Sequence, residues 1–322
     1  MIKLLFSKEA LISSLFFLLM FSPNFFMQKR PGDDASYISH AFIIALDGDL
    51  NYDNEPADDL SKDETLPVHP IGSGILAAPF VFVFSIIDNI IGNPILKDHN
   101  HYLGSWSLFG FIFSVHFLFF LGIIFYIKSF RLLKILNKEL CLIILIVFSS
   151  TIPHFVLKRY FFSHVFEFFS ISLLFWLIVS LYQNASADKP KRLYYFLFGI
   201  SLSLNLFVRY SNINLLLLAP IVFLTMDICK KGSNNKISSN NSLKAILPIS
   251  LVSILPNILF YKLVYGSFFP LPSKIYNNDF GLESGSITET LGIIFNRIPF
   301  IVNIIFGSEM GLLYTNPIIP IG

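Results

Sequence analysis

Long apolar stretches separated by short polar segments dominate the pattern of this chain. Most of them approach or exceed the roughly 20 residues that a helix needs to cross about 30 Å of hydrocarbon. Proline, glycine or clustered charges mark their ends. The stretches cover residues 8–27, 71–91, 105–127, 140–157, 161–182, 193–208, 211–229 and 243–264. The pattern therefore predicts an all-α polytopic membrane protein.

Composition strengthens this prediction and excludes one class of partner. Of the 322 residues, 54% are hydrophobic and 14% are charged, whereas a soluble domain carries about 25% charged residues. The formal net charge of +2 is too small for the basic face with which nucleic-acid binders offset phosphate charge. We therefore expect a lipid bilayer around the protein and no nucleic acid as a partner.

The distribution of Lys and Arg predicts which side of the membrane each loop occupies. Basic residues cluster in three loops, at 128–138, 189–192 and 230–244. Positive loops normally face the cytoplasm, and they all do so here only if the stretch 71–91 does not cross. We therefore predict that 71–91 is an interfacial or re-entrant element, interrupted by its proline and glycine residues. These residues are Pro70, Gly72, Gly74 and Pro79.

This orientation divides a single transmembrane domain, residues 1–322, into regions. Residues 28–104 form an outer acidic loop with juxtamembrane helices, 105–264 form the helix bundle, and 265–310 form a second outer loop. The first apolar stretch lacks a small-x-small cleavage site, so we expect an uncleaved helix. The chain stops at the start of another apolar segment, which predicts a truncated C-terminus. Cys141 and Cys229 lie in apolar runs, as buried free thiols do.

Acidic residues are concentrated in the outer loop, where ten of the 21 lie between Gln28 and Pro70. Asp33 and Asp34 precede a predicted amphipathic helix, Ala35 to Leu46, on the membrane surface. Two interpretations are open. Asp34 is the N-cap of that helix, or the repulsion between adjacent carboxylates raises one pKa and suits a general base.

The acidic run that begins at Asp47 has oxygen-bearing side chains at alternate positions, as calcium loops do. Counting from Asp47, however, Tyr52 occupies the sixth position, where an EF-hand needs glycine, and Asp58 occupies the twelfth, where it needs glutamate. The run is therefore expected to be a solvated acidic loop. No motif predicts a metal site or a cofactor, and a requirement for a divalent cation stays open.

Short motifs along the chain resemble those of one family. The motifs are Gly32-Asp33-Asp34-Ala-Ser-Tyr37 with His40-Ala, Asp47 to Pro56, His69-Pro70-Ile-Gly72, Ser163-His164, Val208-Arg209-Tyr210-Ser-Asn212, Tyr265-Gly266-Ser-Phe-Phe with Tyr276, and Gly307 to Pro317. In order and kind they resemble GT-C fold glycosyltransferases, near the protein O-mannosyltransferases and the aminoarabinose transferase of lipid A. Ile71 departs from the Pro-Pro pair of that family.

The resemblance implies a GT-C transmembrane bundle and a chemistry. A hexosyl or pentosyl group would pass from a polyprenyl-phosphate donor to a protein, lipid or polysaccharide acceptor. Transfer would occur on the outer face of a bacterial inner membrane, by a single displacement that inverts configuration. Asp33 would act as the base and Asp34 would position the acceptor, because neighbours on a helix diverge by about 100°.

The substrate-binding candidates each have a structural alternative. Outer-face cations could hold the leaving phosphate, arginine best because its fork binds two oxygens, whereas Lys158 and Arg159 could instead be a boundary pair that snorkels. His164 and Glu167 share a helix face, where they either bind phosphate or lock helices together. His69 either contacts sugar or finishes a turn. The full set is His69, Lys158, Arg159, His164, Glu167, Arg209, Tyr276 and Arg297.

Three other functions compete with the transferase. A secondary transporter would place ionisable groups at mid-membrane in repeated halves, and neither feature is visible. Another lipid-linked glycan polymerase or ligase would rely on outer-loop arginines and would not need Asp33 and Asp34. A non-catalytic membrane subunit is the third.

Overall fold

The computed structural model describes residues 14–22 without 16, 35–50, 69–92, 105–135, 140–184 without 141–143 and 145, 192–222 without 217–219, and 239–265. All regular structure within these ranges is helical. Besides short helical segments at 17–22, 146–149 and 220–222, the helices are α1 (Ala35–Phe42), α2 (Gly72–Ile91), α3 (Trp106–Leu132), α4 (Ile152–Leu157), α5 (His164–Asn184), α6 (Arg192–Val208), α7 (Ser239–Val252) and α8 (Leu255–Tyr265). A π-helical turn, Ile43–Asp47, follows α1, and a 3₁₀ turn, Tyr210–Asn214, follows α6.

Helices α2 and α3 form an antiparallel pair. A buried carboxylate joins them where α2 ends and α3 begins. Asp88, near the end of α2, accepts hydrogen bonds from the backbone N–H of Trp106 (2.9 Å) and of Ser107 (2.8 Å) and from the Ser107 hydroxyl (2.6 Å). Ser105 is the local N-cap of α3 and accepts from Leu108 N–H. Asp88 therefore satisfies donors that a helix start would otherwise leave unpaired.

The centre of the bundle is α3, which α2 and α5 flank along different halves. Phe80 of α2 packs on Phe113 and Phe117 in the first half of α3. Helix α5 runs parallel to α3, from the Phe111–Phe166 contact down to Leu132, whose carbonyl accepts from Gln183. Helix α2 is thus displaced along the bundle axis relative to α5.

Helices α5 and α6 are antiparallel and are held together by a buried amide. The side-chain N–H groups of Asn205 donate to the carbonyls of Ser170 and Ser201, and its oxygen accepts from the Ser170 hydroxyl. The Asn205 side chain is fully buried. An amide that uses both donors and its acceptor in this way fixes the register of the two helices.

The predicted all-α membrane protein is confirmed in this coarse form. Within the described residues, four helical segments are long and apolar enough to cross a membrane: Gly72–Ile91, Trp106–Leu132, His164–Gln183, and Ile246–Val264, which runs across α7 and α8. The predicted interruption of 71–91 is wrong, because α2 continues through Pro79 for 20 residues. The interpretation that this segment does not cross stays a prediction.

The amphipathic helix predicted after Asp34 is present, but its polar residues are not exposed as predicted, and its position on the membrane surface stays a prediction. Helix α1 ends at Phe42, and residues 37–43 are buried on every side. Its polar members are also buried, with Ser39 8% and His40 0% exposed. The cause is tertiary: α2 and the core aromatic residues cover the face that the sequence pattern left for water.

Candidate functional site

Three side chains from α5 and α6 form a polar cluster, which comprises His164, Glu167 and Arg209. The Arg209 guanidinium donates to the Glu167 carboxylate at 2.7 Å and to His164 Nδ1 at 3.3 Å. His164 Nδ1 lies 3.7 Å from the same carboxylate oxygen of Glu167. Because a guanidinium only donates, the ring nitrogen that faces it is an acceptor in this arrangement. His164 and Glu167 both belong to α5, and the contact with the end of α6 is made by Arg209. If this cluster holds the two helices together, Arg209 is therefore part of it.

Helix ends explain why these side chains meet. His164 and Glu167 lie one turn apart in the first turn of α5. Arg209 lies just after the end of α6, with extended backbone (φ −158°, ψ 130°) before the 3₁₀ turn. Since α5 and α6 are antiparallel, the start of one meets the end of the other. The cluster therefore forms at one end of this helix pair.

Exposure differs within the cluster, and it decides which member a ligand can reach. The side chains of Glu167, His164 and Arg209 are 17%, 29% and 42% exposed. The charges of Glu167 and Arg209 offset each other. An anion arriving from outside would meet Arg209 first and would compete with Glu167 for its N–H groups.

A cavity of about 380 Å³ lies directly beside the cluster. Apolar side chains supply most of its wall, while Glu167 supplies a carboxylate, His164 supplies an imidazole and several hydroxyls face it. Its lining consists of Tyr126, Ile146, Val147, Ser150, Thr151, Ile152, Phe155, His164, Glu167, Phe168, Ile171 and Ser172. An apolar cavity with a few convergent polar groups is the usual form of a small-ligand site.

A second set of contacts brings the His69 turn, residues 69–71, to the same end of the α5–α6 pair. The ring of Tyr37 in α1 stacks on the His69 imidazole, with 4.7 Å between centroids and 17° between planes. Tyr37 also donates its hydroxyl hydrogen to Ser163, the residue before His164, at 3.3 Å. His40 Nε2 lies 2.9 Å from the His69 carbonyl oxygen. Because a carbonyl only accepts, Nε2 carries the hydrogen.

Burial keeps His40 neutral in this contact. It lowers the pKa of His40 from 6.5 to about 4, and the hydrogen bond to the His69 carbonyl opposes part of that change. The side chain is completely buried. His40 therefore acts as a fixed hydrogen-bond donor at ordinary pH.

Two glycines allow the backbone segments to approach this closely. A Cβ added to Gly72 would overlap the backbone of Phe207 and Val208, immediately before Arg209. A Cβ added to Gly74 would overlap the Cβ of His40. The start of α2, which follows the His69 turn, is therefore in direct contact with α1 and with the end of α6.

The two cations of the predicted boundary pair take different positions near this end. The Arg159 guanidinium lies over the Phe162 ring at 4.5 Å, a cation–π contact. Lys158 is exposed at the end of α4, and its backbone N–H donates to the His154 carbonyl. Phe162 in turn stacks on the His164 ring, with 6.2 Å between centroids. Both the phosphate-binding and the snorkelling interpretations stay open for these two cations.

Several predicted site residues lie outside the described residues. They are Asp33, Asp34, Tyr276 and Arg297. Within the described ranges, no group of three or more His, Cys, Asp and Glu side chains is arranged to hold a metal ion.

Sequence reasoning included Tyr37 and His40 in a motif but assigned them no role. Their spacing of three residues put them on one helix face, and this was the available signal. The spacing could not predict the hydrogen-bond partner of Tyr37, since Ser163 lies 126 residues further along the chain.

Comparison with known proteins finds no match: no protein-family model, no curated protein and no solved structure corresponds to this chain.

Proposed function

We propose that this chain is an integral membrane glycosyltransferase of the GT-C type. It would move a sugar from a polyprenyl-phosphate donor to an acceptor on the outer face of the membrane. One observation supports the proposal most. Four distant parts of the sequence meet where α5 begins and α6 ends, namely the helix after Asp34, the His69 turn, the start of α5 and the end of α6.

The proposed reaction is a single displacement at the anomeric carbon of the donor sugar. The acceptor oxygen forms a bond to that carbon as the bond from the carbon to the phosphate oxygen breaks. The electron pair of the broken bond goes to the polyprenyl phosphate, and the acceptor proton goes to the Asp33 carboxylate. Attack from the side opposite the phosphate inverts the configuration. Asp34 positions the acceptor.

Arg209 is the proposed contact for the leaving phosphate. Its guanidinium has five N–H donors in a planar fork that matches phosphate oxygens. It is also the most exposed member of the polar cluster. The negative charge that develops on the phosphate would draw Arg209 from Glu167, while Glu167 holds the guanidinium in place before the donor arrives.

The carboxylate assignment is tested by sugar transfer in membranes supplied with polyprenyl-phosphate sugar. Asp33→Asn should abolish transfer while expression and thermal stability persist, because an amide cannot accept the acceptor proton. Asp47→Asn is the matched control, because Asp47 is an exposed acid of the same outer loop, and it should retain wild-type transfer. Full activity in Asp33→Asn would contradict the role of Asp33 as base.

The phosphate assignment is tested in the same assay with two arginine variants. Arg209→Gln should lower kcat/KM by about 100-fold or more, and Arg209→Lys should lower it less, because lysine keeps the charge but loses the fork. Lys158→Gln is a control for loss of one outer cation and should have little effect. Equal losses in Lys158→Gln and Arg209→Gln would indicate a general electrostatic effect instead of a phosphate contact.

A further inference from the structure

The side chain of Tyr37 contacts both the His69 turn and the residue that precedes the polar cluster. Its ring stacks on the His69 imidazole and its hydroxyl donates to Ser163. Ser163 in turn opens α5, since its carbonyl accepts the backbone N–H of Glu167 at 2.9 Å. The path from His69 to Glu167 therefore runs through Tyr37 and one turn of helix.

The stack fixes the plane of the His69 ring without using either ring nitrogen. A parallel stack at 4.7 Å opposes tilting of the imidazole, and therefore opposes changes in the direction of its N–H and lone pair. His40 holds the backbone of the same residue through its carbonyl. Ring and backbone of His69 are thus both held by α1.

Close packing prevents α1 from moving independently of the turn. Tyr37 is 6% exposed and His40 is completely buried. Gly74 of α2 lies against His40 so closely that a methyl group would not fit. Tyr37 therefore belongs to a rigid support and not to a mobile loop.

We propose that Tyr37 is a positioning residue that sets the orientation of the His69 imidazole relative to the His164, Glu167 and Arg209 cluster. The proposal rests on the proposed function only where it concerns catalysis, because His69 is there a contact for the donor sugar. Tyr37 contacts no substrate in this scheme. Its effect on transfer passes through His69.

Kinetics with three variants separate the ring of Tyr37 from its hydroxyl. Tyr37→Leu removes the ring, Tyr37→Phe keeps the ring and removes the hydroxyl, and Ser163→Ala removes the same hydrogen bond from the opposite side. Tyr37→Leu should raise KM for the lipid-linked sugar about tenfold and lower kcat less than threefold, since a stack contributes at most about one order of magnitude. Tyr37→Phe and Ser163→Ala should stay within threefold of wild type in both constants.

A second readout does not depend on enzyme activity. Diethyl pyrocarbonate modifies the imidazole of His69, and peptide mass spectrometry measures the rate, with exposed His154 as the internal reference. Tyr37→Leu should raise the rate at His69 at least threefold relative to His154, because the imidazole is no longer held in one plane and can turn its reactive nitrogen toward the reagent. Tyr37→Phe should leave this ratio unchanged. If Tyr37→Leu does not yield a monodisperse protein, Tyr37→Met replaces it in both measurements.

The two readouts distinguish failure of this inference from failure of the proposed function. Absence of any transfer by the wild-type protein would remove the transferase, while a raised modification rate in the leucine or methionine variant would still support the orienting contact. An unchanged modification rate in that variant would overturn the inference. A wild-type KM in the same variant would overturn its catalytic part.

Discussion

The buried carboxylate of Asp88 offers the sharpest test of how this fold is held together. Asp88→Ala removes the acceptor of three hydrogen bonds, from Trp106 N–H, Ser107 N–H and the Ser107 hydroxyl, at 2.6–2.9 Å. A hydrogen bond to a charged group contributes about 1.5–3 kcal/mol, and an unsatisfied buried donor costs about 1–3 kcal/mol. Because the first turn of α3 can regain some water, we expect a loss of about 3–5 kcal/mol, less than the full sum.

Two milder variants set the scale for this loss. Asp88→Asn keeps one acceptor oxygen and replaces the other with a donor, so about half of the loss is expected. Ser105→Ala removes only the local cap of the same helix, which typically costs about 1 kcal/mol. Asn89→Ala changes the exposed neighbour of Asp88 and should stay within about 0.5 kcal/mol of wild type.

Unfolding in mixed micelles with a rising fraction of sodium dodecyl sulfate measures these differences. The fluorescence of Trp106 is a local reporter, because this residue is itself a partner of Asp88. The midpoint should fall in the order Asn89→Ala, Ser105→Ala, Asp88→Asn, Asp88→Ala. If Asp88→Ala unfolds within about 1 kcal/mol of Asn89→Ala, the carboxylate does not hold α2 to α3 and the reasoning is refuted.

Three further predictions concern packing, protonation and topology. Gly74→Ala should destabilise by about 1–3 kcal/mol in the same micelle assay, because its methyl group would overlap His40. Below pH 6.5 His40 is protonated in the unfolded chain, whereas in the folded protein it is protonated only near pH 4. The free energy of unfolding should therefore fall by about 3 kcal/mol as the pH is lowered from 6.5 to 4. His40→Gln should lack this pH dependence, and a wild-type pH dependence in the variant would contradict the prediction. In a cysteine-free background, Asp47→Cys and Asn89→Cys should both react with an impermeant maleimide added outside the cell. Lys134→Cys should react only after permeabilisation. If Asn89→Cys is labelled from the side opposite to Asp47→Cys, then α2 crosses the membrane.

The site divides into what the motifs predicted and what they could not. His164 and Glu167 were predicted to share a helix face, and they do, because an interval of three residues is one turn of helix. Arg209 was predicted as a phosphate contact from its polar helix end. Its ion pair with Glu167, 42 residues away, required the antiparallel packing of α5 and α6. A sequence pattern relates residues within one helix and could not predict a contact between two residues 42 positions apart.

Helix α1 also shows that a local sequence pattern does not predict burial by distant parts of the chain. Its sequence has an apolar face and polar residues opposite, so local reasoning placed it on the membrane surface. The structure buries His40 and Ser39 of that polar face within the protein. The amphipathic pattern of a helix depends only on its own residues. It does not show whether another helix packs against the polar face and buries it.

The sequence by itself determined that this is a helical membrane protein, because transfer of apolar side chains from water and the hydrogen-bond needs of a backbone in lipid depend on composition and length alone. It also determined which residues could carry charge at helix ends. The tertiary structure alone decided that α2 is continuous through Pro79, that Asp88 caps α3, and that Tyr37 and His40 hold the His69 turn beside Ser163. These outcomes depend on contacts between residues 18 to 126 positions apart. They arise from close packing in three dimensions, where glycine gaps and buried donors select among arrangements that the linear pattern permits equally.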